Sequence, residues 1–143
     1  MGEDIYKILY CSKNLIEGEH AKQDAEISQI LQSARRNNRK QNVTGALFFN
    51  SAYFAQALEG PKGAIEKIFE RIQRDPRHGE VTVLSSETGG ERDFPEWSMA
   101  HVAPPNETAS ATMAVALNGA LSHPGASSAG VLGLLRSLVI QED

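Results

Sequence analysis

The chemistry open to this chain starts with Gln56. It lies between Phe54 and Leu58 on one side of an alternating apolar run, so an amide occupies a position where the pattern calls for a hydrocarbon. A buried carboxamide must find both a donor and an acceptor, or it costs about 1–3 kcal/mol. Tyr10, on another strand-like run, carries a phenol that can donate and accept and so can serve either end. Spacing leaves two readings open: a Tyr10–Gln56 pair that satisfies itself in a core, or one turned toward a ligand. The amide's two ends have opposite hydrogen-bonding character and nearly equal size, so reversing it rewires its bonds at little steric cost.

The other polar candidates have the same two-sided character. Asn38, at the expected end of a helix, reads as a C-cap or as a binding carboxamide, and Asn37 beside it can play either part. Trp97 and Met99 share one face of an expected strand and offer polarizable surface to an aromatic ring or to an ordinary core. Arg77 and His78 follow the helix-stopping Asp75–Pro76. Arg35, Arg36, Arg39 and Lys40 form a basic cluster that complements a helix C-terminus on a solvated face. Cys11 has the opposite strand parity to Tyr10 and points away from whatever Tyr10 faces. Paired cysteines, closely spaced histidines, a glycine-rich phosphate loop and a Gly-x-Ser-x-Gly elbow are all missing from the sequence.

These residues need elements to hold them. Ile5 to Ser12 reads as a central strand covered on both sides, with Tyr6, Ile8 and Tyr10 on one face and Ile5, Leu9 and Cys11 on the other. Ile27, Ile30, Leu31 and Ala34 recur at helical spacing, in a helix that starts near Gln23 and ends near Asn37 or Asn38. Val43 to Phe49 and Tyr53 to Glu59 read as a hairpin. Pro61 falls just inside the next helix, whose stripe is Ile65, Ile68, Phe69 and Ile72. Strands at Glu80 to Leu84 and Trp97 to Val102 follow, separated by a Gly89–Gly90 turn. The order is β-α-β-β-α-β-β, an α+β, ferredoxin-like motif with one added strand: a mixed five-stranded sheet with two helices on one face. After Pro104 and Pro105 the composition turns to alanine, serine and glycine. Met113, Leu117, Ala120 and Leu121, then Leu132, Leu135, Leu138 and Val139, suggest two C-terminal helices suited to cover the other face. The expected division is a domain over 1–103 and a helical extension over 104–143.

Composition bounds the function. The chain has 143 residues, enough for one core that needs neither disulfide nor metal, and its single cysteine fits a cytoplasmic address. No signal peptide is read at the start, and no apolar run reaches the ~20 residues of a membrane span. Net charge of −4 has the wrong sign for a domain that neutralises nucleic-acid phosphates. Sequons at Asn42 and Asn106 read as accidental.

Five blocks in order, ILYCS, ARRNNRKQNVTGALFF, FAQALEGP, DPRH and RDFPEWSM, resemble the blue-light-sensing flavin domains called BLUF over nearly all of Ile5 to Val102. Two departures stand out. Asn42 replaces a frequent glycine and tolerates the same left-handed backbone. Ala55 and Ala57 flank Gln56 where bulkier residues are common, a change expected to loosen the pocket without removing its hydrogen bonds.

The resemblance implies FAD, or FMN or riboflavin, held non-covalently between the two helices. Tyr10 and Gln56 would face the ring, Asn38 would bond its pyrimidine edge, and Ile30 and Ile72 would sandwich its faces. Asn37, Arg77 and His78 are further contact candidates, and Tyr10, Gln56, Trp97 and Met99 form the implied photoactive set. Blue light would draw an electron and then a proton from Tyr10, leaving Gln56 differently bonded and the absorption slightly red-shifted. No substrate is consumed, so no enzyme is implied. Output would pass to a separate effector protein, with self-association expected. A flavin-free interaction module on the same fold is the alternative, and a hydrolase using Arg77 or His78 explains neither Gln56 nor the blocks.

Overall fold

The structure, a computed structural model of the chain, describes residues 4–16, 20–50, 52–95, 98–102, 106–137 and 139–140. Strand β1 (Tyr6–Asn14) leads into helix α1 (His20–Gln41), then the hairpin β2 (Thr44–Phe49) and β3 (Tyr53–Gly60). Helix α2 (Lys62–Arg74), β4 (His78–Thr88) and β5 (Ala100–Val102) follow, and then α3 (Glu107–Ser122), α4 (Pro124–Ser137) and a short β6 (Val139–Ile140). The sheet runs β4-β1-β3-β2-β5-β6. All neighbours are antiparallel except β2 and β5, which pair in parallel. The expected five strands are there in a mixed, ferredoxin-like arrangement. The sixth, β6, forms where Val139 was expected to be helical: α4 ends at Ser137, and Val139 pairs with Val102.

Strand parity splits the sheet into two cores. Ile8, Tyr10, Leu47, Phe54 and Leu58 face α1 and α2, where they meet Ile27, Leu31 and Ile65. Leu9, Cys11, Ala46, Phe48, Ala55, Ala57, Ala100 and Val102 face the other way, against Met113, Leu117 and Ala120 of α3 and Val131 and Leu135 of α4. The C-terminal helices thus cover the second face. Ala55 and Ala57 belong to that face, so their small size serves the packing of α3 and α4 and does not loosen the surroundings of Gln56.

Several boundaries move for local reasons. Helix α1 continues past Asn38 to Gln41, and Asn42, at φ 59°, turns the chain out of it. Asparagine does there what glycine does elsewhere, as expected. Pro61 is the N-cap of α2 and not its first helical residue, with ψ at 134°. Strand β5 begins at Ala100, not at Trp97. The carbonyls of Ser98 and Met99 accept hydrogen bonds from Asn38 Nδ2 and Arg35 Nε of α1, at 2.7 and 3.0 Å, and the β2 ladder takes over only at Ala100. Gly45 is fixed by close approach: a Cβ there would stand 2.0 Å from the Ala57 carbonyl oxygen. Among the described residues, no helix is long and apolar enough to cross a membrane.

Candidate functional site

A cleft of about 360 Å³ opens between α1 and α2 above the sheet. Helix α1 supplies Ile30, Ala34, Asn37 and Asn38 to it, and α2 supplies Ile68, Arg71 and Ile72. Leu47, Phe54, Gln56 and Leu58 form the floor, and Asp75, Arg77, His78 and Met99 complete the rim. The spacing of Ile30 with Ala34, and of Ile68 with Ile72, at four residues puts each pair on one helix face, so two apolar walls oppose each other.

Tyr10 lies directly opposite Gln56 across the β1–β3 register, and its ring is fully buried. Its hydroxyl donates to Gln56 Oε1. The other end of the same amide, Nε2, donates to the sulfur of Met99 at 3.5 Å. The two sequence readings of the pair therefore merge, because Gln56 is satisfied by Tyr10 and also faces the cleft. Burial, with the negative charge of Asp75, pushes the Tyr10 phenol far above its ordinary value, so it stays a protonated donor at neutral pH. The edge of the Phe69 ring packs on Tyr10, with centroids 5.6 Å apart.

The rim groups are held as firmly. Asp75 accepts from Arg77 Nε at 2.9 Å and from Nη2 at 2.5 Å, and this fork holds the Asp75 carboxyl below the usual range. His78 is not a solvated capping residue. Its Nδ1 shares a 2.9 Å hydrogen bond with buried Ser12, and its ring lies 4.3 Å from that of Phe54. Desolvation pushes its pKa down to about 4, which keeps the imidazole neutral. Asn38 is an interior helix residue, 2% exposed, whose nitrogen holds the Ser98 carbonyl, and it makes no C-cap. Cys11, on the far side of the sheet, is raised to about 11 by burial and is inert.

Of the sequence candidates, Ile30, Asn37, Asn38, Gln56, Ile72, Arg77, His78 and Met99 line one cleft, and Tyr10 stands just behind it. Trp97 lies outside the described residues. Reasoning from sequence missed the Ser12–His78 bond, the grip of Arg35 on the Met99 carbonyl, and the buried carboxylate of Glu59. Glu59 shares the strand face of Ala55 and Ala57, and an acid on an apolar face was the available signal.

The cleft suits a planar heteroaromatic ligand. Opposed aliphatic walls match ring faces, three carboxamides match an edge with alternating donors and acceptors, and the volume falls in the ligand-pocket range of roughly 300–1,000 Å³. Among the described residues no cluster of three metal-ligating side chains occurs. Fold and site together define a small α+β ligand-binding domain whose cleft wall contains a hydrogen-bonded amide and phenol. Residues 5–100 match BLUF, described as sensors of blue-light using FAD, and the chain belongs to that family.

A photoactivated adenylate cyclase subunit beta of Euglena gracilis is 40% identical over 75 residues, which make up 52% of this chain and 9% of that protein. The blue light- and temperature-regulated antirepressor BluF of Escherichia coli is 35% identical over 83 residues, 56% of this chain and 21% of that protein. The matched segment is thus less than a quarter of the length of either relative. The dark state structure of BlrB, a BLUF protein, superposes with a TM-score of 0.77 at 28% identity, covering 94% of this chain and 97% of that one.

Proposed function

We propose that this chain is a blue-light sensor that binds FAD in the α1–α2 cleft and reports light as a rearrangement of the Gln56 amide. Membership of a family of blue-light sensors supports the reading. The observation that carries it is the hydrogen-bond chain Tyr10 Oη to Gln56 to Met99 Sδ on the wall of a cleft shaped for a flat ring. When bound, a flavin supplies the absorption of blue light and the redox chemistry. The protein's part is done by its own side chains. Ile30 and Ile72 flank the ring space, and Asn37, Asn38 and Gln56 present amides to a polar edge. Tyr10 is an oxidisable phenol whose proton already lies on the bond to Gln56. Arg77 and His78 close the rim, and FMN or riboflavin would meet the same walls.

The amide is the switch because its two neighbours differ. In the present orientation Gln56 accepts from a phenol and donates to a thioether. A reversed amide would place its oxygen against the sulfur, which has no proton to give, so the two states differ in energy and one decays to the other. Nothing is consumed in the cycle. Residues 1–103 form the sensor in this reading, and 104–143 form an extension that caps the sheet and leads toward output. A separate effector protein in the cytoplasm receives the signal, and the sensor self-associates.

Absorption spectra of the purified protein, dark, under blue light and after dark recovery, test this directly. Yellow protein with a small reversible red shift is expected, with FAD identified by chromatography of the released cofactor. Colourless protein that FAD cannot reconstitute would overturn it in favour of a flavin-free interaction module.

A further inference from the structure

The loop between β4 and β5 carries Met99 to the amide, and its other end is locked by groups to which the light reaction assigns no part. Glu59, at the end of β3, is 1% exposed. Its Oε2 accepts from the Asp93 N–H at 2.6 Å and its Oε1 from the Phe94 N–H at 2.7 Å, while Thr44 Oγ1 donates to Oε1 at 3.2 Å. Arg92 closes the arrangement from outside. Its Nη1 donates to Thr44 Oγ1 at 2.8 Å and to the Glu59 carbonyl at 3.1 Å, and its Nη2 donates to the Asn42 carbonyl at 2.8 Å. Lys7 of β1 pairs with Asp93 at 2.8 Å and donates to the Glu91 carbonyl at 3.0 Å.

Phe94 and Met99 belong to different cores. Phe94, 1% exposed, is buried with α3 and α4, and Met99 is buried on the side of α1 and α2. Five positions apart in the sequence, the two side chains thus lie on opposite faces of the sheet. The backbone beside each is held: Glu59 binds the Asp93 and Phe94 amides, and Asn38 and Arg35 bind the Ser98 and Met99 carbonyls. The Met99 sulfur is a weak acceptor whose hold on Gln56 Nε2, at 3.5 Å, depends on its placement.

We propose that Glu59 and Arg92 are positioning residues for the photoactive amide: they clamp residues 92–94 and thereby place the Met99 sulfur that Gln56 must leave and regain. The proposal rests on the photosensing reading above. A carboxylate suits the clamp because it only accepts, so both of its oxygens can face N–H groups. Glu59→Gln keeps the shape but turns an NH₂ toward one of the two backbone donors, loosening one contact.

The test is the dark-recovery rate of the full chain after blue light, measured for wild type, Glu59→Gln, Met99→Leu and the double variant, with flavin content as the control. Glu59→Gln is expected to retain flavin and to change the rate roughly fivefold, about what one hydrogen bond's net contribution does to a barrier. In the Met99→Leu background the same substitution is expected to change it less than about twofold, as coupled neighbours do. An unchanged rate in Glu59→Gln, or the same factor with and without Met99, would overturn the proposal. If Glu59→Gln fails to fold, Arg92→Met, which frees the loop from its exposed side, is held to the same criteria. A wild type without any reversible shift would instead refute the photosensing reading itself.

Discussion

The two faces of the sheet are built to different rules. Toward α3 and α4 the core is apolar except for Glu59 at the end of β3, with Ala46, Ala55, Ala57 and Ala100 letting the helices come close to the strands. Toward α1 and α2 the same strands present Tyr10, Ser12 and Gln56. The first face gains stability from burial at roughly 25 cal/mol per Å². The second gives up part of that gain to hold polar groups, each matched to a partner: Tyr10 with Gln56, Gln56 with Met99, Ser12 with His78. Paired polar side chains gathered beside a cleft separate the working side of this protein from its supporting side.

The comparison breaks if α3 and α4 are not true core. Leu135 is fully buried between α4 and the sheet, so Leu135→Asp is expected to cost more than about 4 kcal/mol. Soluble yield and urea melts would show it. A folded variant that had lost only partner binding would make this face a docking surface.

The polar face should show itself in pH. The folded His78 titrates at about 4 against 6.5 for the free side chain, so the unfolded chain binds the extra proton first as pH falls. Its contribution is fully present above pH 6.5 and is lost as pH falls toward 4, by at most about 3 kcal/mol. Glu59, raised by desolvation, works in the opposite direction, so the comparison is between wild type and His78→Gln. Urea melts at pH 7.5 and 5 should show a smaller loss of stability in the variant, and equal losses would rule out His78 as the source.

An exposed ion pair on α4 should matter least. Arg136 of α4 lies 3.7 Å from Asp93 and is largely exposed, so Arg136→Ala is expected to shift stability by less than about 0.5 kcal/mol. A thermal melt that fell by many degrees would give α4 a second anchor.

Much of this was legible in the chain itself. Period-two alternation in β1 and β3 put Tyr10 and Gln56 on one face, and the register then set them opposite each other. The helical stripes gave both walls of the cleft. What escaped depends on groups distant in sequence. Asn38 looks like a helix end because Asn37, Asn38 and Asn42 can each take the left-handed turn and local sequence does not choose among them; Asn42 takes it, which leaves Asn38 inside α1 to hold Ser98. Strand β5 looked longer than it is because its first carbonyls are claimed by α1. Glu59 lies in the FAQALEGP block with no local sign of its role, since the N–H groups it accepts from lie 34 and 35 positions further on. Ala55 and Ala57 flank Gln56 along the chain, but strand parity sends them to the other core.

The central claim is that the Tyr10–Gln56 bond is the photoactive element, and the most direct test is the light-minus-dark absorption spectrum of Tyr10→Phe beside wild type. Phenylalanine keeps the ring packing against Phe69 and removes the oxidisable phenol with its proton. The account predicts a variant that still binds flavin and shows no reversible red shift. An unchanged photocycle in Tyr10→Phe would contradict it.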